Sequence, residues 1–98
     1  MNITITPEAF AWFQDEMGLV EGDELRFHIR YDDAHSAGRD QHGFSLLLTV
    51  EPPRRPGASV EAGGIRFFVE EGELWYFDGQ DLRVEWDERD EMLRFITD

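Results

Sequence analysis

Between residues 32 and 42 the chain sets Asp32, Asp33, His35, Asp40 and His42 in one polar stretch, and His28 stands on the segment that feeds it. Imidazole nitrogen and carboxylate oxygen are ligands that iron, zinc and related metals accept. His35 with Asp33 and His42 therefore forms a candidate metal site. Its spacing matches neither the two histidines four apart on a helix that hold zinc nor the alternating oxygens of a calcium loop. The competing reading is a solvated acidic loop with surface histidines.

Other chemistries find less support. The sequence has no cysteine, which excludes disulfides, thiol catalysis and thiolate-held clusters. Ser36 and Ser45 lack the glycine-flanked elbow of a nucleophilic serine. Gly63-Gly64 precedes a strand pattern instead of a helix, and all 9 basic residues are arginine, so no lysine reaches a phosphate or forms a Schiff base. With 22 carboxylates, pairs such as Glu70-Glu71, Glu85-Asp87 and Glu88-Asp90 arise by chance and identify no acid-base couple. No catalytic or cofactor-binding residue is assigned. The expectation is a protein that is not an enzyme, with a small hydrolase or lyase as a further alternative.

The elements that would position these groups can be read from periodicity. Asn2 to Ile5 alternates as a strand, then Thr6 stands as an N-cap with Pro7 at the first helical position and Glu8 in the first turn. Ala9, Phe10, Phe13 and Met17 form a helical stripe, Gly18 can end the helix, and Trp12 lies off the stripe's centre, at a core edge or an interface. From Glu24 the period becomes two: Leu25, Phe27, Ile29 and Tyr31 face the core, and Arg26, His28 and Arg30 face away. Phe44, Leu46, Leu48 and Val50 alternate again, with Leu47 on the outward face, and Pro52, Pro53 and Pro56 end that strand. Ser59 to Glu61 and Ile65 to Glu70 read as a hairpin around Gly63-Gly64, with Ile65, Phe67 and Val69 inward. Sequential antiparallel strands are expected. Glu73 to Asp78 suits either a hairpin arm or a short helix. Asp81 to Asp87, with Leu82, Val84 and Trp86 inward, and Met92 to Thr97 are the last two strands.

The stretch Glu73-Leu74-Trp75-Tyr76-Phe77-Asp78-Gly79-Gln80-Asp81-Leu82-Arg83-Val84-Glu85-Trp86 resembles the "S-L-x-F-L-D-G-x-x-L-D-F-V" block of the HesB/IscA-like family, the A-type iron-sulfur cluster assembly proteins. Ile3-Thr4-Ile5-Thr6-Pro7-Glu8-Ala9 looks like that family's opening, and Leu25-Arg26-Phe27-His28-Ile29-Arg30 stands where its strand leads to a cysteine loop. The resemblance favours a short helix at residues 73 to 77. It implies a β-rich α+β fold over residues 1–98 as a single domain: mostly antiparallel sheets forming a sandwich or flattened barrel, with an N-terminal helix and a short second helix. The family is expected to hold iron or a cluster with three cysteines. Here Asp33-Ala34-His35-Ser36 stands at the first of those positions, and Ile96-Thr97-Asp98 where the cysteine tail would begin. The scaffold carries over; cluster chemistry does not.

The net charge of −13 repels phosphate backbones and anionic lipid, which excludes nucleic acid and membrane surfaces as partners. No signal-like or membrane-spanning run is present, so a cytoplasmic location is expected. Trp75, Tyr76 and Phe77 in a row cannot all face one core, and with Trp12 and Leu47 they predict an apolar surface covered by a protein partner or a second copy, a homodimer. The function expected is a non-catalytic HesB/IscA-like binding or interaction module without the cluster cysteines, the alternative being a protein that binds iron or another metal through His35 and loop carboxylates.

Overall fold

The computed structural model describes the backbone of residues 1–31 and 44–98, and the side chains of 1–30 and 46–98. In chain order the elements are β1 (Ile3–Ile5), α1 (Pro7–Asp15), β2 (Glu24–Tyr31), β3 (Phe44–Val50), β4 (Pro56–Ala62), β5 (Ile65–Glu70), a 3₁₀ helix (Glu71–Tyr76), β6 (Leu82–Asp87) and β7 (Met92–Thr97). Helix α1 starts where its sequence says it should. Thr6 is extended, its hydroxyl accepts from the Ala9 N–H at 3.3 Å, and Pro7 occupies the first turn, where its missing N–H is not needed. Gly18 at φ +68° turns the chain out of the helix.

The strands form two sheets, ordered β1-β6-β7 and β3-β2-β5-β4. Three ladders are antiparallel, but β1 pairs with β6 and β2 with β5 in parallel. This corrects the expectation of sequential antiparallel strands. Alternation states which face of a strand is buried and leaves the neighbour open, so returns over a long stretch of chain, such as β6 beside β1, leave no local signal. Pro56 is a second correction, because it begins β4 instead of ending the strand before. β4 lies at a sheet edge, where a missing N–H costs little, and its register shifts between Pro56 and Ala58.

The core lies where the two sheets and α1 meet. Phe67 of β5 is fully buried, stacked on Phe27 of β2 with centroids 6.1 Å apart and tilted against Phe13 of α1 at 5.1 Å. Phe27 in turn meets Phe95 of β7 edge to face at 6.2 Å, which joins one sheet to the other. Each such ring contributes roughly 1.5–3 kcal/mol by leaving water. Leu25, Phe27, Ile29, Ile65, Phe67, Val69, Leu82 and Val84 are buried, as their alternation requires. Phe68 is also fully buried, although it points to the other side of β5. Its register partner across the parallel ladder is Arg26, so both sit on the outer sheet face that the 3₁₀ helix covers.

That helix settles the ambiguous segment. Phe77 after it is buried, Tyr76 is half-buried and Trp75 is exposed, the divergence expected of three aromatics in a row. The helix lies so close to β4 that a Cβ on Gly57 would stand 2.8 Å from Glu71 Cα and 2.6 Å from Leu74 Cδ1. Glycine is required there by close approach, as Gly63 and Gly64 (φ +57° and +79°) are by the turn that closes the β4–β5 hairpin. No helix among the described residues is long and apolar enough to cross a membrane.

Candidate functional site

Two polar regions stand out, and they are built differently. The first lies between β2 and the 3₁₀ helix. Because side chains alternate along β2, Arg26 and His28 share its outer face, and the 3₁₀ helix lowers Glu73 onto both. Glu73 Oε1 accepts from Arg26 Nη2 at 2.5 Å and Nε at 3.1 Å, and Oε2 accepts from the Ile29 backbone N–H at 2.6 Å. Arg26 Nη1 donates to Glu51 at 2.8 Å. His28 Nδ1 is buried and 3.0 Å from Glu73 Oε2, yet off the line that a hydrogen bond requires. Partial burial alone would lower the Arg26 pKa; the hydrogen bonds to Glu51 and Glu73 and their charges outweigh it and hold the guanidinium above its ordinary value.

Close by, Glu70 is buried at the end of β5. Its two oxygens accept the N–H groups of Arg54 and Arg55, both at 2.8 Å. These donors, Arg54 first, keep its carboxyl below the ordinary glutamate range against the opposing effect of burial. The carboxylate thus pins the proline-bearing segment Pro52 to Pro56 to the sheet.

The second region is an open cleft of about 540 Å³ between α1 and the β6–β7 hairpin, lined by Trp12, Glu16, Trp86, Glu88 and Glu91. Trp12 of α1 and Trp86 of β6 stack with centroids 6.3 Å apart and planes 25° from parallel. Both are half-buried against the core. The hairpin turn is set by Asp87, which accepts the Arg89 and Asp90 N–H groups at 2.9 and 3.2 Å and the Arg94 Nε at 2.5 Å. The Arg94 bond is the largest cause of the lowered Asp87 pKa. The turn ends at Glu91, a non-glycine residue at φ +52°. Among the described residues, none of the Glu16, Glu88 and Glu91 carboxylates enters an ion pair or hydrogen bond.

The metal site expected at His35, Asp33 and His42 lies outside the described residues. Among those described, no group of three or more histidine, aspartate or glutamate side chains is placed to hold a metal ion. An iron-sulfur cluster fits this chain poorly: it has no thiolate, and beside His28 the Glu73 oxygens are already taken by Arg26 and Ile29. Sequence reasoning missed both Glu73 and the cleft. The cleft had a local signal, since Trp12 and Glu16 stand four apart on one helix face. The Glu73 contacts had none, joining residues 47 apart.

Comparison with known proteins places this geometry. Over 90% of its length the chain is 43% identical to a Bacillus subtilis protein named pyruvate dehydrogenase inhibitor, itself covered over 90%. The chain belongs to that protein's family. An uncharacterised Staphylococcus haemolyticus protein is 31% identical over 97% of this chain and 96% of its own. No family model matches. Among solved structures, Escherichia coli SufA, a protein involved in biosynthesis of iron-sulfur clusters, superposes over 99% of this chain and 86% of its own with a TM-score of 0.62 at 18% identity. The fold is therefore that of SufA: mostly strands in two mixed sheets with a helix at the N-terminal end.

Proposed function

We propose that this chain is a non-catalytic protein-binding module, a HesB/IscA-type scaffold without the cluster-ligating cysteines, that acts by docking on another protein as an inhibitor. The observation that carries this is the 43% identity, over nine-tenths of both chains, to a protein named as an inhibitor of pyruvate dehydrogenase. The composition supports it, because a SufA-like fold with no cysteine has no means of holding a cluster and keeps only its surfaces. A pyruvate dehydrogenase is the first partner to test. A net charge of −13 would steer such a module onto a basic surface and speed encounter at low salt.

The test is to titrate the purified chain into the pyruvate dehydrogenase complex of the same organism, following pyruvate-dependent reduction of NAD and, by calorimetry, binding. Saturable inhibition at a defined stoichiometry is expected. An unchanged rate with no heat of binding would reject the proposal.

A further inference from the structure

The cleft between α1 and the β6–β7 hairpin combines three features. Its floor is a pair of half-buried indoles, Trp12 and Trp86, with planes 25° from parallel, whose apolar surface can cover a long aliphatic stem. Its rim carries Glu16, Glu88 and Glu91, none paired within the described chain, whereas Glu51, Glu70, Glu73, Asp87 and Asp90 each have an arginine or a backbone N–H as partner. Glu8 and Glu61 are unpaired too, but only here do three such carboxylates line a cleft with two indoles among the described residues. At about 540 Å³ it is wider than a bare ion needs and takes a long side chain with the backbone on either side of it.

The chemistry of the occupant follows. An anion would meet three carboxylates in a chain already at −13. An apolar group would strip water from those carboxylates and return nothing. A metal ion would need ligands converging closely, and no three acidic side chains among the described residues do so. A lysine or arginine side chain satisfies both halves: its aliphatic stem lies along indole and its charged head meets glutamate. Glu91 adds weight. At φ +52° glycine or asparagine would fit the turn with less strain, yet the position holds a carboxylate on the cleft.

We propose that this cleft seats a lysine or arginine side chain of a basic segment on the partner protein. This deepens the protein-binding reading above and rests on it.

The experiment uses the indole N–H resonances of the 3 tryptophans in the ¹⁵N-labelled chain. The probe is a blocked tripeptide with a central lysine between glycines, alongside the same peptide acetylated on the lysine nitrogen. The lysine peptide is expected to move the Trp12 and Trp86 signals and leave Trp75 in place, and the acetylated peptide to move none. In the double variant Glu88→Gln/Glu91→Gly, with its melting temperature no lower than wild type's, affinity should fall roughly tenfold. Equal binding of the acetylated peptide, uniform movement of all three signals, or movement with protein concentration alone, which would mean a second copy fills the cleft, would overturn the proposal. The same variant in the pyruvate dehydrogenase assay separates the two levels. If it inhibits as well as wild type, the cleft proposal is overturned and the inhibitor reading stands; if wild type neither binds nor inhibits, the inhibitor reading itself is overturned.

Discussion

Around Glu73 and around Trp86 the molecule gathers carboxylates in opposite ways. Glu73 lies under the 3₁₀ helix with both oxygens engaged, by a guanidinium and by a backbone N–H of β2, and Arg26 carries the pairing on to Glu51. Glu16, Glu88 and Glu91 surround an open cleft floored by two tryptophans and engage nothing in the described chain. Part-buried and paired with Arg26, the carboxylates of the first group fix how the 3₁₀ helix sits on the sheet. Exposed and unpaired within the described chain, the second gives the fold nothing that would explain its charges. In a chain with 22 acidic residues, the proposed recognition surface thus differs from the structural network in how far its carboxylates are already committed.

Substitutions can break or sharpen this contrast. The largest effect belongs to Phe27, which lies beneath the Glu73 region on β2 and touches the sheet that bears Trp86. Phe27→Ala should cost about 3 to 5 kcal/mol in thermal or chemical denaturation, and both regions should be lost with the fold. Next, Glu73→Gln should destabilise by about 2 to 3 kcal/mol, since it leaves Arg26 half-satisfied on a mostly covered face. A loss no greater than at an exposed site would show that this network is not structural.

Glu70 tests the same idea through pH. Its carboxyl pKa is lowered in the folded state, so between the lowered and the ordinary value the unfolded chain binds more protons. The stability it contributes is fully present above the ordinary glutamate value and is lost as pH falls through the lowered one. Glu70→Gln should cost about 1 to 2 kcal/mol at neutral pH, and the gap between the melting temperatures of wild type and variant should close on acidification. The smallest effect is expected at the cleft. Glu88→Gln should change stability by no more than about 0.5 kcal/mol, and a larger loss would assign that carboxylate a structural partner after all.

Much of the fold was legible because its signals are local. The cap at Thr6, the helical stripe through Phe13, the alternation of Leu25, Phe27 and Ile29 and the Gly63-Gly64 turn each lie within a few residues, and each appears in the structure as read. The parallel pairings β1–β6 and β2–β5 were not legible, since a strand's sequence records which face is buried and not which neighbour it takes. Alternation puts Phe68 on the face opposite Phe67, and its burial depends on a helix arriving from that other side. For the site, half of the cleft could be seen in Trp12 and its neighbour Glu16 on one helix face, but Trp86 and Glu91 are brought to it by a hairpin far along the chain. The expected metal ligands His35, Asp33 and His42 fall outside the described residues.

The central claim is that recognition resides in the uncommitted carboxylates and stability in the committed ones. Its most direct test is one calorimetric comparison of three chains, wild type, Glu73→Gln and Glu88→Gln/Glu91→Gly, binding the pyruvate dehydrogenase complex at a temperature where all three are folded. The account predicts that the Glu73 variant binds like wild type despite its lower melting temperature, while the cleft variant melts no lower than wild type and binds roughly tenfold more weakly. Full affinity in the cleft variant together with lost affinity in the Glu73 variant would contradict it.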